Sequence, residues 1–168
     1  MVNKIFRILF VCTGNTCRSP MAEGILKKML KENGIDYIQI SSAGTDSWRG
    51  CPASLPALEV GKSSGIDLTS HSSRKLTEEM LREADLILAM SKRHLDHVKK
   101  LKQDAIDKSF LVKSFPQRSD GESFWIDDPV GGTPDGYRRC FSDLKRNIER
   151  IFARLVDLAR EKLESSRK

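Results

Sequence analysis

The sequence predicts an α/β protein with a parallel β-sheet, because short apolar segments alternate along the chain with longer amphipathic ones. The predicted strands are residues 4–12, 36–42, 85–90 and, more weakly, 109–115. The predicted helices are residues 19–33, residues 53–64, a short helix capped by Thr77, a helix from Lys92 and a long final helix over 134–163. Strand–helix–strand connections place the strands parallel, and ligands then bind beyond their carboxyl ends.

Length and composition are those of one folded domain, predicted to span residues 1–168. Hydrophobic residues make up 39% and charged residues 31%, a balance that excludes a disordered or membrane-embedded chain. The apolar stretches are too short to cross a bilayer and no signal-peptide pattern is visible, so we predict a cytoplasmic protein without a membrane partner. Most of the net charge of +6 lies on the C-terminal segment, where we favour a solvated helix face, and the charge can also help to attract an anionic substrate. No basic stripe with stacking aromatic residues is visible, so we expect no nucleic-acid partner.

One segment, Cys-Thr-Gly-Asn-Thr-Cys-Arg-Ser at residues 12–19, has the pattern of a phosphate-binding loop. It lies between the first strand and the first helix, where backbone N–H groups converge at a helix N-terminus and attract anions. We expect Gly14 to permit the tight turn and Asn15 to accept a left-handed conformation. The planar guanidinium of Arg18 can bind two phosphate oxygens together.

Cys12 is the predicted nucleophile of this loop. The field that attracts phosphate also stabilises a thiolate, so we expect the pKa of Cys12 to be lowered. The Ser19 hydroxyl can donate a hydrogen bond to that thiolate and thereby make the sulfur a better leaving group later. We therefore predict a cysteinyl-phosphate intermediate.

Two other interpretations of this segment carry less weight. A zinc site could combine Cys12 and Cys17 with His94 and His97, but no second cysteine pair has metal-ligand spacing and Arg18 would repel the ion. Ordinary buried thiols are the other interpretation, but Gly, Asn and Ser at these positions make coincidence a poor explanation. Without Gly-Lys-Ser or Gly-Lys-Thr, the loop is not a nucleotide-binding loop of the usual kind. We expect no metal and no cofactor.

The segment Val-Cys-Thr-Gly-Asn-Thr-Cys-Arg-Ser-Pro-Met-Ala-Glu at residues 11–23 resembles the low-molecular-weight protein tyrosine phosphatase family. Further positions that resemble its bacterial members are 42–45, Trp48, Ala57, 65–68, His71, 76–77 and 84–90. The resemblance implies a four-stranded parallel sheet with helices on both faces and the phosphate loop between strand 1 and helix 1. It also implies a two-step, metal-free hydrolysis of a phosphorylated protein that releases inorganic phosphate.

The leaving group of such a reaction needs a proton, and a carboxylic acid on a mobile loop can supply it. Asp127 and Asp128 are both candidates. Asp127-Asp128-Pro129 resembles the family's acid loop, in which the acid directly precedes proline, so the resemblance favours Asp128. Pro129 also restricts Asp128 to an extended conformation, which helps to aim its carboxyl group.

The family resemblance implies roles for further residues. Those expected to line the phosphate or substrate site are Thr13, Gly14, Asn15, Thr16, Cys17, Ser19 and Trp48. Those expected to form a hydrogen-bond network behind the loop are Asn15, Ser19, Ser42 and His71. Trp48 matches a wall of the substrate cleft, although a large apolar side chain could also be packed in the core. Cys17 matches a second cysteine that can form a reversible disulfide with Cys12.

Thr16 bears on which phosphorylated residue is the substrate. Many tyrosine phosphatases of the family have Ile there, whereas Thr, like the Asp-Pro-x-Gly-Gly pattern at residues 128–132, resembles the bacterial protein arginine phosphatases. Thr is shorter than Ile and polar, so it leaves room for a guanidinium and can orient a water molecule. Val130 departs from the aromatic residue of those enzymes. We favour phosphoarginine slightly over phosphotyrosine, because one or two contacts shift such a preference by little.

Two other function classes stay open. Arsenate reductases share this fold and loop, but they pass a disulfide through two further cysteines on a nearby helix. This chain has no cysteine between Cys51 and Cys140, which argues against that relay. The other class is a non-catalytic phosphoprotein-binding or redox-sensing module, against which the intact set of Cys12, Arg18 and Asp128 argues.

Overall fold

A four-stranded sheet forms the centre of the computed structural model, which describes residues 5–165. The strands are β1 (Phe6–Cys12), β2 (Ile38–Gly44), β3 (Leu86–Ala89) and β4 (Ser109–Leu111). All are parallel, in the order β2-β1-β3-β4, which confirms the predicted fold class. Residue 4, the predicted start of the first strand, lies outside the described range. β4 is shorter than predicted because the N–H groups of Ser114 and Phe115 both turn back to the carbonyl of Leu111.

Helices occupy the predicted positions between and after the strands. They are α1 (Arg18–Glu32), α2 (Leu55–Ser63), α3 (Glu78–Glu83), α4 (Lys92–Leu101) and α5 (Pro134–Ser165), with short 3₁₀ turns at Gln103–Lys108 and Glu122–Phe124. Thr77 caps α3 as predicted, since its side chain accepts the N–H of Met80. Within residues 5–165, none of these helices has the length and apolar character needed to cross a membrane.

The helices cover both faces of the sheet, as predicted. Alternate side chains of the central strand β1 point to opposite faces. Phe6, Ile8 and Phe10 pack against apolar residues of α1 and α5 in the larger core. Leu9 and Val11 pack against residues of α3 and α4 in the smaller core on the other face. The carboxyl end of β1 is therefore fixed by packing on both faces of the sheet.

The carboxyl ends of β1 and β2 approach each other closely. Cys12, the last residue of β1, is paired with Gly44, the last residue of β2. A Cβ atom at position 44 would collide with the carbonyl oxygen of Thr13 and the Cβ of Ser47, so only glycine fits there. The Thr45 N–H donates to the Cys12 carbonyl at 2.9 Å and fastens the loop after β2 to the loop after β1.

Candidate active site

The predicted phosphate loop runs from Cys12, at the end of β1, to Arg18, at the start of α1. The chain reverses at Asn15, whose φ of 56° lies in the left-handed region, as its residue type predicts. Gly14 does not take a positive φ, and a Cβ built on it would meet Thr16 Oγ1 at 3.7 Å, an ordinary contact. The left-handed turn is therefore made by Asn15, as expected. The expected role of Gly14 in the turn is wrong.

The sulfur of Cys12 is enclosed by the loop. Cys12 Sγ lies 2.9 Å from Ser19 Oγ and 3.3 Å from the backbone nitrogen of Asn15. Burial raises the pKa of the Cys12 thiol, and the Ser19 hydroxyl, the Arg18 charge and the nearby backbone N–H groups offset this only in part. The expected lowering of the Cys12 pKa is therefore wrong in this conformation, in which the buried thiol is shielded from water.

Arg18 is buried, and its guanidinium is held by Asp128 of the acid loop and by the residue just before that loop, Ile126. Nη1 donates to the Ile126 carbonyl at 3.1 Å, and Nη2 donates to Asp128 Oδ2 at 2.8 Å. The Asp128 side chain is 40% exposed, so solvent reaches the outer side of this ion pair. Its Oδ1 also accepts the N–H of Val130 at 3.1 Å. The predicted phosphate ligand and the predicted acid are thus in direct contact. Asp127 is also exposed, and within residues 5–165 it has no such contact with Arg18.

A buried hydrogen-bond network supports the loop from behind. The Asn15 Nδ2 donates to Ser19 Oγ at 2.8 Å and to Ser42 Oγ at 2.9 Å, and its Oδ1 accepts the Arg74 N–H at 3.0 Å. His71 Nε2 donates to the Asn15 carbonyl at 2.6 Å. The structure therefore brings together the residues of the expected network and adds Arg74, which sequence reasoning missed because its contribution is a backbone N–H. Between residues 5 and 165, every buried side-chain nitrogen and oxygen has a hydrogen-bond partner.

Exposed large apolar side chains lie in three segments that contact the phosphate loop or Asp128. Within the described part of the chain they are Trp48, Leu55 and Val130. Trp48 is 84% exposed, so the alternative that it belongs to the core is wrong. It follows Ser47, whose hydroxyl donates to the Gly14 carbonyl at 2.9 Å, so the segment that carries Trp48 touches the phosphate loop. Its role as a wall of the substrate cleft stays a prediction.

The second cysteine of the loop contacts two other helices. Cys17 is buried, with its Sγ 3.1 Å from Ser54 Oγ and 3.5 Å from the hydroxyl oxygen of Tyr137. Ser54 caps α2, and Tyr137 lies in the first turns of α5. Burial, as the largest cause, raises the pKa of Tyr137 to about 12. Cys12 and Cys17 are both free thiols, and sequence reasoning missed Tyr137 because the apolar stripe of α5 carries no sign of a hydroxyl contact.

The Thr13 hydroxyl meets a buried histidine that the sequence suggested only as a zinc ligand. His94 Nε2 lies 2.9 Å from Thr13 Oγ1, and His94 Nδ1 lies 3.1 Å from Ser91 Oγ. Burial, followed by nearby positive charges, lowers the pKa of His94 to about 3. In residues 5–165 no three or more His, Cys, Asp or Glu side chains cluster closely enough to hold a metal ion.

The fold and this site together define an α/β protein with a phosphate-binding loop of the Cys-x₅-Arg type, whose arginine contacts an acid loop. The chain matches the family described as "Low molecular weight phosphotyrosine protein phosphatase" over residues 7–162, and it belongs to this family.

Known relatives of the chain include both kinds of protein phosphatase. It is 38% identical to the protein-arginine-phosphatase of Geobacillus stearothermophilus, over 89% of this chain and 96% of that protein. It is 34% identical to the low molecular weight protein-tyrosine-phosphatase Etp of Escherichia coli K12, over 90% of this chain and 96% of that protein. The structure of YwlE arginine phosphatase from Geobacillus stearothermophilus superposes with a TM-score of 0.81 at 38% identity, covering 95% of this chain and 96% of the other.

The chain is accordingly a hydrolase. It acts on phosphorylated protein residues through a cysteinyl-phosphate intermediate, and inorganic phosphate is the product.

Proposed function

We propose that this chain removes phosphoryl groups from arginine residues of proteins, with Cys12 as nucleophile, Arg18 as phosphate ligand and Asp128 as general acid. The observation that carries the chemical part of the proposal is the convergence of these three side chains at the end of β1. Ser19 Oγ lies 2.9 Å from Cys12 Sγ, and Arg18 Nη2 lies 2.8 Å from Asp128 Oδ2.

The proposed reaction needs Cys12 as a thiolate and Asp128 as an uncharged acid, so on substrate binding the Cys12 thiol releases its proton to solvent and the Asp128 carboxylate takes one up. In the first step, the Cys12 thiolate attacks phosphorus. The bond between sulfur and phosphorus forms while the bond between phosphorus and the arginine nitrogen breaks. The leaving nitrogen takes its proton from the Asp128 carboxyl. An uncharged Asp128 no longer forms an ion pair, so Arg18 is released to bind the phosphoryl oxygens, whose charge it stabilises together with the loop N–H groups.

In the proposed second step, water attacks the phosphorus of the cysteinyl phosphate. Asp128, now a carboxylate, accepts the proton of that water. The sulfur leaves as a thiolate, which the Ser19 hydroxyl stabilises by donating a hydrogen bond. Inorganic phosphate then departs, and the Cys12 thiolate is ready for the next substrate.

Phosphoarginine is favoured over phosphotyrosine by the side chains around the loop. Thr16 is half-buried, and its hydroxyl makes only a weak hydrogen bond with Cys17 Sγ, at 3.7 Å. This hydroxyl can therefore orient a water molecule or accept a guanidinium N–H. Residues 131–132 are Gly-Gly, as in the arginine phosphatase pattern, although Val130 lacks the aromatic ring that those enzymes have at this position. The arginine phosphatase relative supports the same substrate.

The test is kcat/KM on matched phosphoarginine and phosphotyrosine peptides for the wild type, Thr16→Ile and Thr16→Val. We expect the wild type to prefer phosphoarginine and the Ile variant to shift the ratio towards phosphotyrosine by roughly 10- to 100-fold. Thr16→Val keeps the shape and removes the hydroxyl, so it separates polarity from size. A wild type that prefers phosphotyrosine would identify a tyrosine phosphatase, as the relationship to Etp allows.

We also infer that the protein works in the cytoplasm. The thiols of Cys12, Cys17, Cys51 and Cys140 are all free in the structure, which suits a reducing compartment. Fractionation of cells that produce the protein tests this directly. Recovery in a secreted or membrane fraction would contradict the inference.

A further inference from the structure

The hydroxyl of Thr13, the residue that follows Cys12, is surrounded by three nitrogen atoms. His94 Nε2 lies 2.9 Å from Thr13 Oγ1, Arg93 Nη2 lies 3.1 Å away and Arg18 Nη2 lies 3.5 Å away. A guanidinium can only donate, so both arginines donate to this oxygen. They occupy its two lone pairs, and the hydroxyl has one hydrogen left to donate.

This count determines the tautomer of His94. The Thr13 hydrogen can go only to the imidazole, so Nε2 is the acceptor and the ring proton lies on Nδ1. Nδ1 then donates to Ser91 Oγ, 3.1 Å away. His94 is 0% exposed, and a second ring proton on Nε2 would face a Thr13 oxygen whose lone pairs are already taken. The imidazole is therefore neutral, in agreement with its lowered pKa.

The start of α4 supports a role for this arrangement beyond folding. Ser91 is the N-cap residue of α4, and the hydroxyl of an N-cap serine usually accepts a backbone N–H of the first turn. Here the Ser91 side chain makes no such bond. Its hydroxyl oxygen accepts the Nδ1–H of His94 instead. The helix therefore lacks a stabilising cap, and the imidazole of His94 is held in one orientation.

We propose that His94 is a positioning residue, which turns the lone pairs of the Thr13 hydroxyl towards Arg18 and Arg93 and so holds both guanidinium groups at the mouth of the phosphate loop. The hydrogen bond from Arg18 to Thr13 remains when Asp128 no longer forms its ion pair with Arg18. Arg93 is exposed and has no role in the mechanism described above. Held beside Thr13, its guanidinium supplies a second positive charge for the phosphoryl group. The kinetic consequence rests on the proposed function, whereas the hydrogen-bond chain does not.

Long-range ¹H–¹⁵N spectra of the ¹⁵N-labelled protein test the hydrogen-bond chain independently of activity. The His94 signals are assigned by their loss in His94→Gln. We expect the neutral Nδ1–H tautomer of His94 from about pH 8 down to about pH 5, the range in which an ordinary histidine titrates. An Nε2–H tautomer, or titration within that range, overturns the proposal even if the enzyme is active.

A double-mutant cycle tests the positioning role in catalysis. His94→Leu and Thr13→Val should each lower kcat/KM by roughly 10- to 100-fold, the loss typical of a hydrogen bond in a charged network. The double variant should be no worse than the poorer single variant, because both break the same link. His94→Gln supplies an amide oxygen as acceptor and should recover much of the loss. His97→Gln, on the same helix, is the matched control and should leave kcat/KM unchanged.

Independent losses that multiply in the double variant overturn the proposal, as does a Gln variant no better than Leu. If His94→Leu does not fold, the cycle of Thr13→Val with Ser91→Ala makes the same comparison. A wild type without phosphatase activity would refute the proposed function, and the spectra would still decide whether His94 orients Thr13.

Discussion

Two regions of the active site are built in opposite ways. We call the buried hydrogen-bond network of Asn15 behind the loop the wall, and the exposed side chains of Trp48, Val130 and Asp128 the mouth. Behind the loop, Asn15 is 0% exposed and makes hydrogen bonds to groups of Ser19, Ser42, Arg74 and His71. At the mouth, Trp48 and Val130 are exposed, and the carboxyl group of Asp128 is within reach of solvent.

This difference separates the positioning of the nucleophile from the choice of substrate. A buried network whose donors and acceptors are all matched has one favourable arrangement, because any displaced member leaves a partner unsatisfied. Exposed side chains can change identity or conformation with little effect on folding. We therefore expect the wall to keep Cys12 and the loop in one geometry and the mouth to select the phosphorylated residue.

The largest expected effect is that of replacing the Cys12 sulfur, which the wall holds in place. Cys12→Ser should lower kcat by about 10⁴-fold or more, because a serine hydroxyl in this loop has no base to activate it. Inorganic phosphate should still bind to the variant, since Arg18 and the backbone N–H groups are unchanged. Turnover assays and calorimetric titration with phosphate measure the two properties. Full activity of this variant would remove Cys12 from the mechanism.

The acid at the mouth should come next in magnitude. Asp128→Ala should lower kcat by roughly 10²- to 10⁴-fold on peptide substrates, and far less on an aryl phosphate with a good leaving group, which needs little protonation. Asp127→Ala is the matched control, because Asp127 is the adjacent, exposed carboxylate. Equal losses in both variants would contradict the assignment of Asp128.

The same Asp128 variant tests whether the carboxylate weakens the effect of Arg18 on the pKa of Cys12. Without the carboxylate, the Arg18 charge acts unopposed on the sulfur, so the pKa of Cys12 should fall relative to the wild type. Iodoacetamide reacts only with the thiolate. Its rate should therefore begin to rise at a lower pH in Asp128→Ala than in the wild type. An unchanged profile would mean that the Asp128 carboxylate does not influence this pKa.

Substitution of Asn15 should disrupt the wall itself. Asn15→Ala removes the amide that joins Ser19 to Ser42 and replaces a residue that tolerates the left-handed region with one that does not, so we expect a loss of roughly 2–4 kcal/mol in the free energy of unfolding. Asn15→Gly loses the same hydrogen bonds but accepts the backbone conformation, so it should be the milder change. Denaturant unfolding and kcat/KM measure both. Wild-type stability of Asn15→Ala would show that the wall is not one cooperative unit.

The smallest expected effect lies at the mouth. Trp48→Ala should raise KM for peptide substrates by roughly 3- to 10-fold and change the free energy of unfolding by less than about 0.5 kcal/mol, because the side chain is largely exposed. Trp48→Phe keeps an aromatic surface and should stay close to the wild type in KM. A large loss of stability in Trp48→Ala would place this residue in the folded core instead.

Sequence patterns predicted most of the fold and the centre of the site. Strand, loop and helix signals act over short stretches, so the order of elements and the position of the phosphate loop could be inferred from them. The loop itself is contiguous, and the left-handed turn at Asn15 follows from its residue type. The extent of β4 was overestimated, because an apolar stretch does not show where the backbone turns.

Other features required the tertiary structure. The ion pair of Arg18 with Asp128 joins residues 110 positions apart, and the contact of Thr13 with His94 joins residues 81 positions apart. The family resemblance suggested Asp128, but no local pattern indicated its pairing with Arg18 or the role of His94.

The sequence by itself determined the class of fold and the position of the Cys-x₅-Arg loop, and it singled out Cys12 as the proposed nucleophile, because these depend on neighbouring residues. The folded structure alone decided the raised pKa of Cys12 and the partners of Arg18 and Thr13. Burial and electrostatic fields are sums over atoms close in space, and the chain brings those atoms together from distant positions.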